Sequence, residues 1–214
     1  MVGVFQLRTY TVDEFLNILP ELDPEFSYEL HNSVIVPMPK ASPEHETLRN
    51  ELVTELRLEN RRSKLGLEPL TGITLCWDKG NCRFPDLVVV ERALWKTKED
   101  SIIRLSEPVL VAIEIVSTNW QDDYQRKDRW YSGFGVQEYW IIDPMYVVEQ
   151  YPTAKNPEIE VPTITLGKLS KKTNLLGMRD YEWQSFTSSD RLESMHFPDF
   201  PLTVDEMIAL GVEA

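Results

Sequence analysis

Leucines at 48, 52 and 56 recur every four residues behind Ser42-Pro43-Glu44, which supplies a capping hydroxyl, a proline at the first helical position and an acid in the first turn. This spacing predicts a helix that Gly66 terminates. A shorter helix is expected over 11–19, with Thr11 as its cap and Phe15, Ile18 and Leu19 apolar. Residues 28–38 read as two short strands bending at His31-Asn32-Ser33. Next, 69–77 is predicted to pair through a turn at Gly80 with 82–91, and 109–117 is a third strand. A second helix is expected over 120–134, then strands over 138–143 and 146–151 joined at Pro144-Met145. The remainder reads as edge strands and a last helix over 204–210. Strands and helices alternate through the middle, so the expected class is α/β (α+β mixed sheet), a central mixed β-sheet flanked by helices. One domain over 1–214 is expected, its core at 25–151 and 152–214 an extension packed on that core.

Three charged residues interrupt this apolar pattern. Pro85-Asp86-Leu87-Val88-Val89-Val90 is apolar on both faces, as an inner strand is, and alternation puts Asp86 on the face of Val88 and Val90. In the strand at 109–117, Glu114 shares a face with Leu110, Ala112 and Val116. On the following helix Trp120, Tyr124, Lys127, Tyr131 and Phe134 form one continuous stripe, with Lys127 where packing alone would place leucine. A strand climbs about 10 Å from Glu114 to Ser117 at ~3.3 Å per residue. A helix doubling back descends about 9 Å from Gln121 to Lys127 at ~1.5 Å per residue. Lys127 should therefore arrive level with Glu114. Converging carboxylates hold a hard divalent cation such as Mg²⁺, and an adjacent lysine can orient or deprotonate an attacking water or stabilise charge on a phosphoryl transition state. The alternative from pattern alone is a buried Asp–Lys–Glu ion-pair cluster without chemistry.

Composition adds limits. The chain has 214 residues and a net charge of −13, which disfavours indiscriminate attraction to a polyanion. The charge is uneven: residues 1–60 carry 11 acids and 4 bases, whereas 61–150 carry 14 and 12. Basic groupings stand at Arg61-Arg62-x-Lys64 and Arg126-Lys127-x-Arg129, where solvated helix faces are the plain explanation. No apolar run reaches ~18 residues, and Met1–Tyr10 lacks the basic and apolar segments of a secretory signal, so no membrane partner and a cytoplasmic location are expected. In that compartment Cys76 and Cys82, though able to face each other across a hairpin, are expected as free thiols. Two cysteines and three scattered histidines give no zinc spacing, and Ser117 has no nucleophile elbow around it.

These residues, in this order, resemble the PD-(D/E)XK nuclease superfamily and, within it, the Uma2 family of restriction-endonuclease-like domains. The resemblance runs through Tyr10-Thr11-Val12-Asp13-Glu14-Phe15, Tyr28-Glu29-Leu30, Ser42-Pro43-Glu44-His45 and Phe84-Pro85-Asp86. Its most specific stretch is Glu114-Ile115-Val116-Ser117 through Asp123-Tyr124, Lys127 and Tyr131, followed by Gly135 to Pro144 and Phe197-Pro198-Asp199-Phe200. It implies a restriction-endonuclease-like core in which Asp86 and Glu114 are the two acids of the signature and Lys127 is a lysine moved to the following helix from the usual place at Val116. It further implies Mg²⁺, with Mn²⁺ as a substitute, held by Asp86, Glu114 and the Ile115 carbonyl. Glu29 matches a family acid that would add to the metal shell. His45 matches a recurrent position where a helix-start hydrogen bond is the plainer role. Tyr124, Tyr131 and Asp143 would be packing and hydrogen-bonding supports. The chain departs from the family pattern at His31-Asn32-Ser33, which lacks a glycine, and at Thr118-Asn119-Trp120.

The first functional expectation is a Mg²⁺-dependent endonuclease that hydrolyses DNA phosphodiesters with metal-activated water, Arg126 and Arg129 and the Arg61-Arg62-Lys64 group contacting flanking phosphates. A homodimer is expected, since cutting both strands needs two sites. The alternatives are a catalytically silent nucleic-acid-binding or assembly module with the same fold, favoured by the acidity, and a metal-dependent hydrolase of smaller phosphoesters.

Overall fold

The computed structural model describes residues 8–104, 106–117, 122–144, 161–175 and 177–211. The chain opens with α1 (Val12–Ile18), closed at its start by a reciprocal Thr11–Glu14 capping box. The hairpin β1 (Ser27–His31) and β2 (Val34–Met38) follows, turning at Asn32 and Ser33. Ser42 caps the long α2 (Pro43–Ser63), its hydroxyl accepting the His45 amide. Lys64, in the left-handed region at φ 52°, ends α2 two residues before the expected Gly66.

Then come β3 (Leu67–Leu70), β4 (Thr74–Cys76), β5 (Cys82–Arg83), β6 (Leu87–Glu91), the short α3 (Arg92–Trp95), β7 (Ile102–Arg104) and β8 (Val111–Ile115). After a π-helical turn at Asp122–Arg126, α4 (Lys127–Phe134) leads into β9 (Glu138–Asp143). The described chain closes with β10 (Thr163–Thr173), β11 (Arg179–Thr187) and α5 (Val204–Ala209).

Two mixed sheets result. The larger has the order β11-β10-β9-β8-β6-β3, with β8 and β9 parallel, and the smaller has β2-β1-β5-β4-β7. Alternate residues of the inner strands face opposite layers. Leu87, Val89, Val111 and Ile113 meet α2, α5 and the aromatic pair Phe197 and Phe200. Val88, Val90, Ala112 and Val116 meet Tyr124, Tyr131 and Phe134 of the π-helical turn and α4. Leu110, expected on the Glu114 face, belongs to the α2 layer. The helix α4 lies tight against the strand-end Trp77: a Cβ on Gly133 would stand 1.9 Å from that indole, so only glycine permits the approach.

The long hairpin expected over 69–91 is instead split between the sheets. Gly72, at φ 71°, breaks β3 from β4, and Pro85, with no amide hydrogen to give a ladder, breaks β5 from β6. The outer parts pair in the larger sheet (Leu67↔Glu91 to Leu70↔Val88) and the tips in the smaller one. At those tips Cys76 and Cys82 are directly opposed, their Cα atoms 4.2 Å apart, and they form a disulfide rather than the free thiols expected from compartment alone. Of the C-terminal strands, expected at the edges, β11 is an edge strand but β10 is an inner strand, paired on both sides. The strand expected over 146–151 lies outside the described residues, as does Trp120.

Candidate active site

The π-helical turn sets the geometry. It places Asp123 and Lys127 on the buried side and lets the Tyr139 hydroxyl donate to the Asp123 carbonyl at 2.8 Å. Lys127 Nζ then lies 2.8 Å from Asp123 Oδ1 and 2.9 Å from Glu114 Oε2, so the helix and strand do meet where the rise arithmetic puts them. The other carboxylate oxygen of Glu114 accepts a short hydrogen bond from the Tyr131 hydroxyl.

Asp86 stands at a bend just before β6, not within the strand. Its Oδ2 accepts the Ile115 amide at 2.8 Å, which ties it to the end of β8 one residue beyond Glu114. His45, in the first turn of α2, approaches the same place from above: Nε2 is 3.2 Å from Asp86 Oδ2 and 3.1 Å from the Ile115 carbonyl. Its Nδ1 is buried with no hydrogen-bond partner among the described residues. His45 thus makes both the helix-start bond, through its backbone, and a contact with Asp86, through its ring.

Glu29 lies one layer out. It is buried and accepts His31 Nε2 at 2.6 Å and the Phe84 amide at 3.0 Å, with Arg83 3.7 Å away. Arg83 in turn stacks over Trp130 at 5.5 Å. The basic residues expected to hold phosphates are dispersed. Arg126 is exposed and paired with Asp122, and Arg129 is exposed. Arg62 is tied to Glu59 and to the Asp199 carbonyl. The Arg61-Arg62-Lys64 group stands at the far end of α2, about 24 Å from His45 at ~1.5 Å per residue, so it does not join the acidic site. Tyr131, expected as a packing and hydrogen-bonding support, is the donor to Glu114. Two contributors escaped the sequence reading: Asp123 as a second acid on Lys127, and His31 and Arg83 around Glu29. The i,i+4 spacing of Asp123 and Lys127 was the one signal for the first.

The model for Uma2, whose description reads "Putative restriction endonuclease", matches residues 12–173, most of the chain. The chain belongs to the Uma2 family. Among solved structures, this Uma2 protein is similar to a chain titled "a putative nuclease belonging to DUF820" from Anabaena variabilis ATCC 29413, with TM-score 0.68 and 17% identity. That similarity covers 94% of this chain and 98% of the other, and it shows a shared fold. No curated protein matches.

Electrostatics in the Uma2 site follow from too many acids around one cation. Burial pushes the Glu114 carboxyl up to about 8; Lys127 pulls it down, but neighbouring Asp86 and Asp123 push it further up. Burial likewise raises Asp123. Burial opposes the Lys127 ammonium, yet Asp123, Glu114 and Glu29 outweigh it and hold that pKa well above the usual range. Glu29 also overcomes its burial, and His31, Lys127 and Arg83 keep it low. For His45 burial is outweighed by Asp86, and its pKa is raised.

The donor set suits a hard divalent cation. Asp86, Glu114 and the Ile115 carbonyl offer oxygen donors around one strand end, and excess negative charge stands beside them. Among the described residues no group of three or more His, Cys, Asp or Glu side chains is spaced to hold a metal by itself. Two carboxylates with a carbonyl, completed by water and a substrate phosphate, is nevertheless an ordinary Mg²⁺ arrangement. No helix among the described residues is long and apolar enough to cross a membrane.

Proposed function

We propose that this Uma2 protein is a Mg²⁺-dependent endonuclease that hydrolyses DNA phosphodiester bonds by direct water attack. The observation that carries this reading is the meeting of Glu114 with Lys127 from α4, beside an Asp86 bonded to the next amide of the same strand. Asp86, Glu114 and the Ile115 carbonyl would hold the cation, with Mn²⁺ as a substitute. When bound, Mg²⁺ supplies Lewis acidity toward the scissile phosphate and the attacking water.

The chain's own residues do the rest. Lys127 is kept charged by Asp123 and Glu114, so its ammonium has only hydrogens to offer. It positions the water and stabilises negative charge on the phosphoryl oxygens, and it does not take the water's proton. Tyr131 fixes the Glu114 carboxylate, and the Ile115 amide fixes Asp86. His45 holds Asp86 and the Ile115 carbonyl together. Glu29 adds negative charge near Lys127 while its oxygens remain engaged with His31 and Phe84.

A second reading, a catalytically silent module that binds nucleic acid or assembles, draws on the net charge of −13 and on a lysine already paired with two acids. Plasmid cleavage separates them. Wild type should nick supercoiled DNA with Mg²⁺ and not with chelator, and Asp86→Ala should be inactive. Intact plasmid under all conditions would reject the endonuclease, and hydrolysis of a small phosphodiester alone would assign a smaller substrate. One chain supplies one site, so we propose a homodimer for double-strand cutting; a monomer mass by light scattering at micromolar concentration would contradict it.

A further inference from the structure

The strands β10 and β11 run past the rest of their sheet. The partner strand β9 pairs with β10 only as far as Glu138↔Lys168, whereas the β10–β11 pairing continues to Thr173↔Arg179. Beyond Leu169, whose amide still bonds the Gln137 carbonyl at 2.9 Å, the two strands leave β9 behind and run on as a ribbon, with a bulge in β10 before Thr173. Asn174, at its end, accepts the Met178 amide at 3.1 Å through its side chain and donates to Asp180 at 3.0 Å, and its own amide bonds the Met178 carbonyl at 2.7 Å.

The ribbon's surface is unlike that of the chain. Residues 168–181 contain Lys168, Lys171, Lys172 and Arg179 against one acid, Asp180, which is bonded to Asn174, within a protein of net charge −13. Lys171, Lys172 and Arg179 are exposed. At the tip Leu175 is fully exposed and Met178 is half-exposed, although neither has any packing reason to be there. Unpacked large apolar side chains flanked by cations are what an architectural DNA arm presents: the cations take phosphates and the apolar tip enters between base edges in the minor groove.

Position agrees with this use. Glu114 is in register with Ile141, three residues along β9 from Glu138, which faces Lys168. A bulge in β10 between Leu169 and Thr173 adds residues without rise, so the level is counted along β11, four residues from Glu182, opposite Lys168, to Met178, which pairs with Asn174. With the three residues of β9, seven at ~3.4 Å give about 24 Å along the strands between the levels of Glu114 and the tip. The helix α4 spans part of that interval, with Arg126 and Arg129 exposed along it and Arg179 close to Gly135 at its end. About 24 Å falls within one turn of duplex, roughly 34–36 Å, so one duplex can reach both places.

We propose that the β10–β11 ribbon is a DNA-binding arm, Lys171, Lys172 and Arg179 gripping phosphates and Leu175 and Met178 entering the minor groove within one helical turn of the candidate active site. The choice of partner rests on the nuclease reading above, and charge complementarity supports duplex DNA on its own.

The test is fluorescence anisotropy of a labelled 30-base-pair duplex with wild type, Lys171→Gln/Lys172→Gln and Leu175→Ser/Met178→Ser, in chelator so that nothing is cut. Thermal melts identical to wild type check folding, which these exposed positions should not affect. The lysine variant should weaken binding and reduce the slope of log K against log salt by about 2, at ~0.9 per phosphate contact. The tip variant should weaken binding about tenfold with the slope unchanged. Wild-type affinity and slope in both variants, or no duplex binding by wild type, would overturn the arm. So would binding to anionic phospholipid vesicles, in preference to duplex, that the same variants abolish. Plasmid cleavage is scored separately: variants that cut and bind like wild type defeat the arm alone, and ribbon-dependent binding without wild-type cleavage defeats the nuclease alone.

Discussion

Replacing Lys127 by methionine is the most informative single change, because the structure makes its cost calculable. The ammonium lies within 2.9 Å of two buried carboxylates, and methionine fills similar volume without charge. Breaking a buried pair by removing one partner costs about 3–5 kcal/mol, since the remaining charge has no compensation. Here the cost depends on pH. Glu114 already takes a proton near pH 8, and without Lys127 its pKa rises further, because the one group pulling it down most is gone. Below that pH the variant escapes part of the penalty by protonating Glu114; above it the carboxylate must be buried bare. One proton of difference changes stability by about 1.4 kcal/mol per pH unit. Urea denaturation should therefore find Lys127→Met less stable than wild type, the gap widening toward about 3–5 kcal/mol as pH rises above about 8, with no further Glu114-linked change below that pH, where both proteins carry the proton. Adding Glu114→Gln should recover part of the loss. A gap under ~1 kcal/mol at every pH would show that the lysine is not the counter-charge of this cluster, and the assignment of its catalytic role would fall with it.

Other outcomes follow from the same cluster. The Glu114 carboxyl is raised from 4.5 to about 8, so between those values the folded chain holds a proton that the unfolded chain has released. Its contribution is full below pH 4.5 and is lost as pH rises through about 8. The metal-free melting temperature should accordingly fall over that window, and Glu114→Gln should fall less steeply; equal slopes would refute the shift. His45, raised above 6.5, adds a decline in the same direction that both proteins share. Tyr131→Phe removes a buried donor to Glu114 and should cost about 1.5–3 kcal/mol by urea denaturation; no loss would mean the hydroxyl does not hold the carboxylate.

What was legible in the sequence was what depends on local period. The β9 boundaries, the α2 cap at Ser42 and the arrival of Lys127 beside Glu114 all follow from fixed rises and capping chemistry. The fate of the 69–91 hairpin was not, because alternation continues through Gly72 and Pro85 while the chain changes sheets there. The π-helical turn was hidden because its stripe of buried residues is nearly that of an α-helix, and Asp123 reads as a surface acid until that turn buries it. Cys76 and Cys82 were judged by compartment, although their separation across a turn already allowed direct opposition. The β10–β11 ribbon was not legible because the C-terminal residues read only as edge strands, and no local period marks where β9 stops pairing with β10.

Whether Asp86 and Glu114 hold a cation is decided by calorimetric titration of Mg²⁺ and Mn²⁺ into wild type, Asp86→Ala and Glu114→Ala, with and without a short duplex. One site is expected in wild type, completed or strengthened by the duplex, and lost in both variants while their folds persist. Silence in wild type with the duplex present, or binding that survives both substitutions, would contradict it.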